Sequence, residues 1–261
     1  MASEQDTFTY IDTHCHYCGK LSFGDFLQSA LSNLSSAGHS ARSRSHSRFA
    51  LCLIEFGNGS DFIRLAQAEE AGFTVRRVDA NTLEIDMGDD SLLIFTGRQL
   101  VTRERLEVII IGYPGEIENG LPAEEYIKRY SDQALVVLPW GVGKWLAKRH
   151  QVVSALLEKY QGQFVLGDNG GRPGWWRSIP HFRRAEALQI PVLAGSDPLP
   201  VSSFVRRVAS YGSRFPASFD SCSQWVEHVR SLRGSPQTYG SLATTLTFLK
   251  DQLGIRVNKN M

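Results

Sequence analysis

The sequence predicts an α/β fold in which apolar, mainly parallel strands alternate with helices in a single barrel-like domain. Three observations predict it. Runs such as FALCLIEF (49–56), QALVVLPW (133–140) and IPVLAGSD (190–197) are apolar nearly throughout, as strands are in parallel sheets covered on both faces. Amphipathic helical stretches stand between such runs. The apolar runs also end repeatedly in Asp, Glu, His or Gly, which gathers polar residues at one rim, and in α/β barrels the carboxyl rim carries the active site. A length of 261 residues with 42% hydrophobic residues suits one domain spanning 1–261. An open, doubly wound sheet is the alternative architecture.

Along the chain, FTYIDTHCH (8–16) reads as the first strand from its β-branched and aromatic residues, and 24–36 as a helix capped by Asp25 or Ser22. GHSARSRSHSR (38–48) has no apolar period and reads as a mobile surface loop, with an anion-binding flap as the other reading. The strand 49–56 leads into a helix with Ser60 at its N-cap, running to Gly72. Short alternating runs broken by Asp-Ala-Asn and Gly-Asp-Asp make 73–97 an antiparallel meander inserted between barrel units. There follow a strand at 103–113, a helix at 123–132, the strand 133–140, a helix at 145–162, and short strands at 164–169 and 190–197. Segments 223–233 and 240–255 are helical, and 201–261 is expected to pack as helices on the outside of the barrel.

Lysine plus arginine (28) balances aspartate plus glutamate (27). No global field therefore draws the protein to nucleic acid or to an anionic membrane. The start MASEQDTFTYID lacks the basic and apolar regions of a signal peptide, and no run approaches about eighteen apolar residues. The expectation is a cytoplasmic protein with four thiols: Cys15, Cys18, Cys52 and Cys222.

Chemistry concentrates at strand ends. Period-two alternation puts Asp12, His14 and His16 on one face of the first strand, and Cys18 too if the strand continues. Two imidazoles at a buried strand end can clamp a metal ion, and a carboxylate beside them widens the choice of metal. The other reading is two polar residues bonded to backbone or water. Asp168, in LGDNGGRP, is either a metal-site or general-base carboxylate or a turn residue. The glycine-rich stretch after it offers Arg172 as a fork for an anion, PWGVGKW offers Lys144, and Arg98 sits at a strand end. Each of these has a surface or packing alternative. His181, after the glycine-rich loop, is a further candidate whose alternative is structural.

FTYIDTHCHY resembles the opening Asp-x-His-x-His strand of the polymerase-and-histidinol-phosphatase (PHP) phosphoesterases and, more distantly, of TatD-like and amidohydrolase barrels. VLAGSDPLP resembles the Gly-Ser-Asp-x-His strand that closes the PHP metal site. Segments 97–113 and 120–141 are similar in pattern to the PHP strands between, so the likeness covers most of residues 8–200. It implies a distorted seven- or eight-stranded TIM-like barrel. It also implies His14, His16 and Asp197 as metal ligands, with Glu55 in place of a further aspartate. The family's other ligand positions are changed. Phe56, Ile109 and Leu199 replace histidines, Pro139 or Trp140 stands where another belongs, and Gln99 replaces a bridging glutamate.

The implied function is a metal-dependent hydrolase, a phosphoesterase acting on a small anionic, phosphorylated substrate through a metal-activated water. His14, His16 and Asp197 would hold one or two ions of Zn, Mn or Fe. Glu55 and Asp168 would assist catalysis, and Arg98, Lys144 and Arg172 would bind substrate. The near-neutral charge argues against a nucleic-acid substrate. The alternative is a degenerate barrel that binds a small anion or a protein partner without a multinuclear site.

Overall fold

The computed structural model describes residues 7–19, 21–40, 47–176, 178–198 and 204–258. In chain order they form β1 (Phe8–Cys15), α1 (Phe23–Ser40), β2 (Ser47–Phe56), α2 (Asp61–Ala66), β3 (Thr74–Asp79), β4 (Thr82–Met87), β5 (Asp90–Val101) and β6 (Glu107–Ile111). Then come α3 (Ala123–Tyr130), β7 (Leu135–Pro139), α4 (Lys148–Lys159), β8 (Val165–Asn169), α5 (Pro180–Ala187) and β9 (Val192–Gly195). The chain continues through α6 (Phe204–Arg207), β10 (Tyr211–Phe215), α7 (Cys222–Ser231), β11 (Gln237–Gly240) and α8 (Thr245–Asn258). No helix among the described residues is long and apolar enough to cross a membrane.

Nine strands follow one another in the order β11-β10-β1-β2-β5-β6-β7-β8-β9, and the sheet nearly closes into a barrel. The seam lies at β1. Its first half, Thr9–Ile11, pairs antiparallel with β10. Its second half meets β9 instead: Thr13 Oγ1 donates to the Ala194 carbonyl at 3.0 Å, and Asp197 N donates to the His14 carbonyl at 2.7 Å. One edge of β1 is thus shared between two strands, and this brings the first and last barrel strands together.

β1, β2 and β5 are mutually parallel, as are β7, β8 and β9, but β6 is antiparallel to both of its neighbours. β6 is thus the exception within the mainly parallel barrel that the sequence predicts. Residues 102–106 close the β5–β6 turn through Thr102 N to the Leu106 carbonyl (2.8 Å) and Leu106 N to Thr102 Oγ1 (3.1 Å). Such a turn is too short for the crossover that parallel strands need. The reversal places Glu107, at the start of β6, on the rim formed by the carboxyl ends of the other strands.

The antiparallel meander forms as read, with turns at the Asp-Ala-Asn and Gly-Asp-Asp breaks. It is not a free insertion, however, because its third strand, β5, is a barrel strand. One edge of β5 pairs with β2; the other pairs first with β4 and then with β6. Three further expectations need correction. The helix after Ser60 stops at Ala66, well short of Gly72. Of the expected loop 38–48, residues 38–40 end α1 and 47–48 open β2, while 41–46 lie outside the described residues. The C-terminal segment contributes the strands β10 and β11 as well as helices.

α7 is not on the outside of the barrel. Its apolar face, Cys222, Trp225, Val226 and Val229, packs in the same cluster as Ile11, Cys52, Phe95 and Ile109 from the strands. Trp225 is fully buried and its ring stacks on Phe95 at 5.7 Å. Arg230 donates to the carbonyls of Ser131 and Ala134, just before β7, so α7 closes the amino-terminal end of the barrel. Separate apolar clusters lie under α1 on one side and under α3, α4 and α5 on the other.

Candidate metal centre

A β-bulge in β1 builds the site. The register with β2 runs from Asp12↔Leu51 to Cys15↔Leu53, so β1 carries one extra residue there. Thr13 turns sideways toward β9, His14 and His16 face the lumen, and Cys15 joins Tyr10 in the outer cluster. Asp12 therefore does not share the histidines' face, which corrects the simple alternation. Its carboxylate accepts from Ser196 N (2.9 Å), Ser196 Oγ (2.5 Å) and His14 N (3.0 Å), tying β1 to the β9 terminus. Burial pushes its pKa up to about 7 against the lowering effect of these bonds. Cys18 lies beyond the strand end and outside the donor group, as the glycine after it suggests.

Gly195 lets the two strands meet. A Cβ there would lie 2.5 Å from both the Cβ and the backbone N of His14. Two residues on, Asp197 adopts φ +41, an unusual conformation for a residue with a side chain, fixed by its bond to the His14 carbonyl.

The donors converge at this seam. His14 Nε2 lies 3.0 Å from His16 Nε2 and 3.0 Å from Gln99 Oε1. Asp197 Oδ1 lies 3.8 Å from His14 Nε2 and 3.6 Å from His16 Nε2. Ligands about 2.0–2.2 Å from one ion in tetrahedral array stand roughly 3.3–3.6 Å apart, so the observed spacing suits a shared ion. Orientation suits it too. The Ile54 carbonyl can only accept, so His16 Nδ1 (2.7 Å away) is the protonated nitrogen and Nε2 presents its lone pair inward. His14 Nε2 then carries a proton between His16 and Gln99, at the place an ion would take.

Charge reinforces the geometry. Burial lowers the pKa of both imidazoles, that of His14 to about 4, and keeps them neutral as ligands must be. Burial alone would raise the Asp197 carboxyl, but the two histidines, Lys144 and Asn169 outweigh it and hold it below its usual value. Asn169, at the end of β8, donates from Nδ2 to Asp197 Oδ2 while its Oδ1 accepts from Gly171 N at 2.6 Å. Sequence reasoning passed over Asn169 in favour of Asp168. Its signal was a second polar residue at a strand end, followed by two glycines.

Comparison with known proteins finds likeness in structure alone. No family model matches the sequence, and no curated protein matches it. PsfC from Pseudomonas syringae PB-5123 superposes with a TM-score of 0.57 at 16% identity, over 97% of this chain and 98% of that one. The lesion-specific endonuclease PfuEndoQ from Pyrococcus furiosus superposes with a TM-score of 0.53 at 13% identity, over 86% of this chain. The match spans 56% of the endonuclease chain. The fold is shared with both.

The other residues singled out from the sequence are placed as follows. Asp168 and Arg172 meet each other: Arg172 Nε and Nη2 donate to the two carboxylate oxygens at 2.7 Å each. Tyr211 OH (2.9 Å) and Asn169 N (2.9 Å) complete the carboxylate, and Arg172 Nη1 donates to the Trp176 carbonyl. This ion pair braces the β8 loop, and its groups face one another. Glu55 is buried and accepts from Phe62 N at 3.1 Å, capping α2 where Ser60 makes no side-chain cap. Arg98 stands beside Glu55 in register and reaches Asn58 Oδ1 at 3.4 Å. Lys144 pairs with Glu107 across the rim, close enough to the centre for its charge to act on both histidines. His181 is buried between Ser154 Oγ (3.3 Å) and the His150 carbonyl (3.2 Å) and is not among the donors. Leu199 falls outside the described residues.

The role of Asp12 as a strut yields a test. Asp12→Asn keeps an acceptor for Ser196 N and His14 N, and is expected to fold and retain the site. Asp12→Ala leaves both amides and the Ser196 hydroxyl buried without their acceptor, and is expected to cost about 3 kcal/mol or more. Urea denaturation of the two variants checks this; equal stability would contradict it.

Proposed function

We propose that the protein is a metal-dependent hydrolase of the PHP type, acting on a phosphoester of a small anionic substrate. The convergence of His14 Nε2, His16 Nε2 and Asp197 Oδ1 at the open rim carries this reading. A divalent ion held there supplies Lewis acidity and lowers the pKa of a water bound to it. The chain's own residues do the rest. The Ile54 carbonyl and Asn169 fix the orientation of the His16 ring and the Asp197 carboxylate, so that neither must reorganise when an ion binds. Gln99 Oε1 offers a neutral oxygen in place of a bridging carboxylate, which favours one ion over a cluster. Lys144 and Arg98 bring positive charge to the rim, where the anionic group would lie. Zinc, manganese and iron(II) suit a set of two imidazoles and one carboxylate.

A second reading, a barrel that binds a ligand or partner without hydrolysis, is favoured by the apolar residues at the family's ligand positions. Ile109 belongs to the interior cluster, Trp140 to an outer one, and Phe56, an exposed residue, stacks on His16 at 4.3 Å. One experiment separates the two. The protein is purified and analysed for bound transition metal. It is then assayed with Zn, Mn and Fe(II) on phosphomonoesters and, as a separate arm, on a DNA oligonucleotide. The expected result is metal-dependent phosphomonoester hydrolysis that falls at least about 100-fold in Asp197→Asn. Bound metal without hydrolysis of any ester supports the second reading; cleavage of DNA alone keeps the hydrolase and replaces its substrate.

A further inference from the structure

On the outer face of β1, away from the metal centre, a cavity of about 460 Å³ opens between α1, β10 and β11. Its walls include Tyr10, Tyr239, Arg214, Ser210, Thr238 and Asn33. The volume falls in the range of small-molecule sites. Glycine shapes it: Gly240 has φ +75, and a Cβ there would stand 1.9 Å from the Ser210 carbonyl oxygen, so only glycine brings β11 this close over β10.

Two buried polar atoms of the lining residues lack partners. The Tyr10 side chain is 1% exposed, and its hydroxyl is buried with no hydrogen bond; Arg214 Nε is likewise buried and unbonded. Folded proteins leave few such groups, and each calls for an explanation. The charge of Arg214 is also uncompensated among the described residues. Its guanidinium lies 3.7 Å from the centre of the Phe8 ring, Nη1 donates to the neutral Gln237 Oε1 at 3.2 Å, and no carboxylate pairs with it among the described residues. A cation near the Phe8 and Tyr10 rings, beside the hydroxyls of Ser210 and Thr238, makes a donor-rich wall with no acid in it among the described residues. The aromatic sides of Tyr10 and Tyr239 supply the apolar part of the wall.

We infer that this cavity is a second binding site, separate from the metal centre, for a small organic anion: a carboxylate or phosphate-type group on a flat, largely apolar body. The anionic group meets the Arg214 guanidinium, and the body lies along Tyr239. Fluorine NMR titration tests this with two probes that the metal centre cannot hydrolyse, 4-fluorobenzoate and 4-fluorophenylphosphonate. At least one is expected to bind saturably and with equal affinity to the wild type and to His14→Ala. Arg214→Met keeps the alkyl stem and is expected to weaken binding by about ten-fold or more. The inference is overturned if neither probe saturates, if Arg214→Met with an unchanged melting curve binds as the wild type does, or if binding disappears in His14→Ala.

Discussion

His14→Ala is expected to empty the metal centre. The imidazole lies 3.0 Å from both His16 Nε2 and Gln99 Oε1 and 3.8 Å from Asp197 Oδ1. Removing an outer partner of a metal ligand costs about 10–100-fold in affinity. Losing one of three ligands should exceed that, and metal analysis after gel filtration should find no stoichiometric ion. Gln99→Glu should act in the opposite direction. It places a carboxylate where a neutral oxygen now stands and is expected to tighten zinc or manganese binding by about ten-fold or more. The opposite signs of the two changes are the informative result. If His14→Ala retained metal at wild-type stoichiometry, or if Gln99→Glu weakened binding, the three-donor centre would be refuted. The fold should survive both changes, because each leaves the backbone bonds of its strand in place and Gln99 is exchanged for a side chain of equal size.

Arg172→Met is expected to be the most destabilising single change at the rim. Arg172 and Asp168 are both buried, at 7% and 8% exposure, and the guanidinium supplies two of the bonds to that carboxylate. Breaking one side of a buried pair typically costs about 3–5 kcal/mol, because the partner charge is left uncompensated. The loss should appear as a lower urea midpoint at an unchanged slope. Replacing both residues, as Arg172→Met with Asp168→Leu, should recover part of the loss, since a buried pair is often no more stable than apolar side chains of similar size. The single variant should also bind metal more weakly. Asn169, which holds Asp197, is the residue after Asp168 on the same braced turn. A cost below about 1 kcal/mol would mean that the pair does not brace the loop.

Much of this protein was legible from local pattern. Apolar runs located β2, β7, β8 and β9 because strands buried on both faces need unbroken hydrophobic sequence, and that requirement acts within a few residues. The turns of the meander were readable for the same reason, since Asp, Asn and Gly set backbone angles locally. β10 and β11 were not readable. YGSRF and QTYG carry weak apolar signal, and their pairing depends on β1 and on each other. The direction of α7 was hidden likewise. An amphipathic helix shows which face is apolar without showing whether that face meets the outside of a barrel or its interior.

The candidate site divides along the same line. His14 and His16 could be chosen from sequence because two imidazoles on one face at a strand end are costly to bury without a use, and Asp197 because its Gly-Ser-Asp strand resembles a known metal-binding one. What joined Asp197 to the histidines across the chain was the seam, where Gly195 lets β9 pass against the bulge of β1. Asp12, equivalent to the histidines in a simple alternation, became a strut because one extra residue turned its carboxylate toward Ser196. Asp168 and Arg172, each a candidate on its own, found each other. Residue type and strand position, which are local, determined which groups could serve a metal. Which of them share one point in space depended on register, a bulge and the closure of the sheet, and those are settled only when distant strands pair.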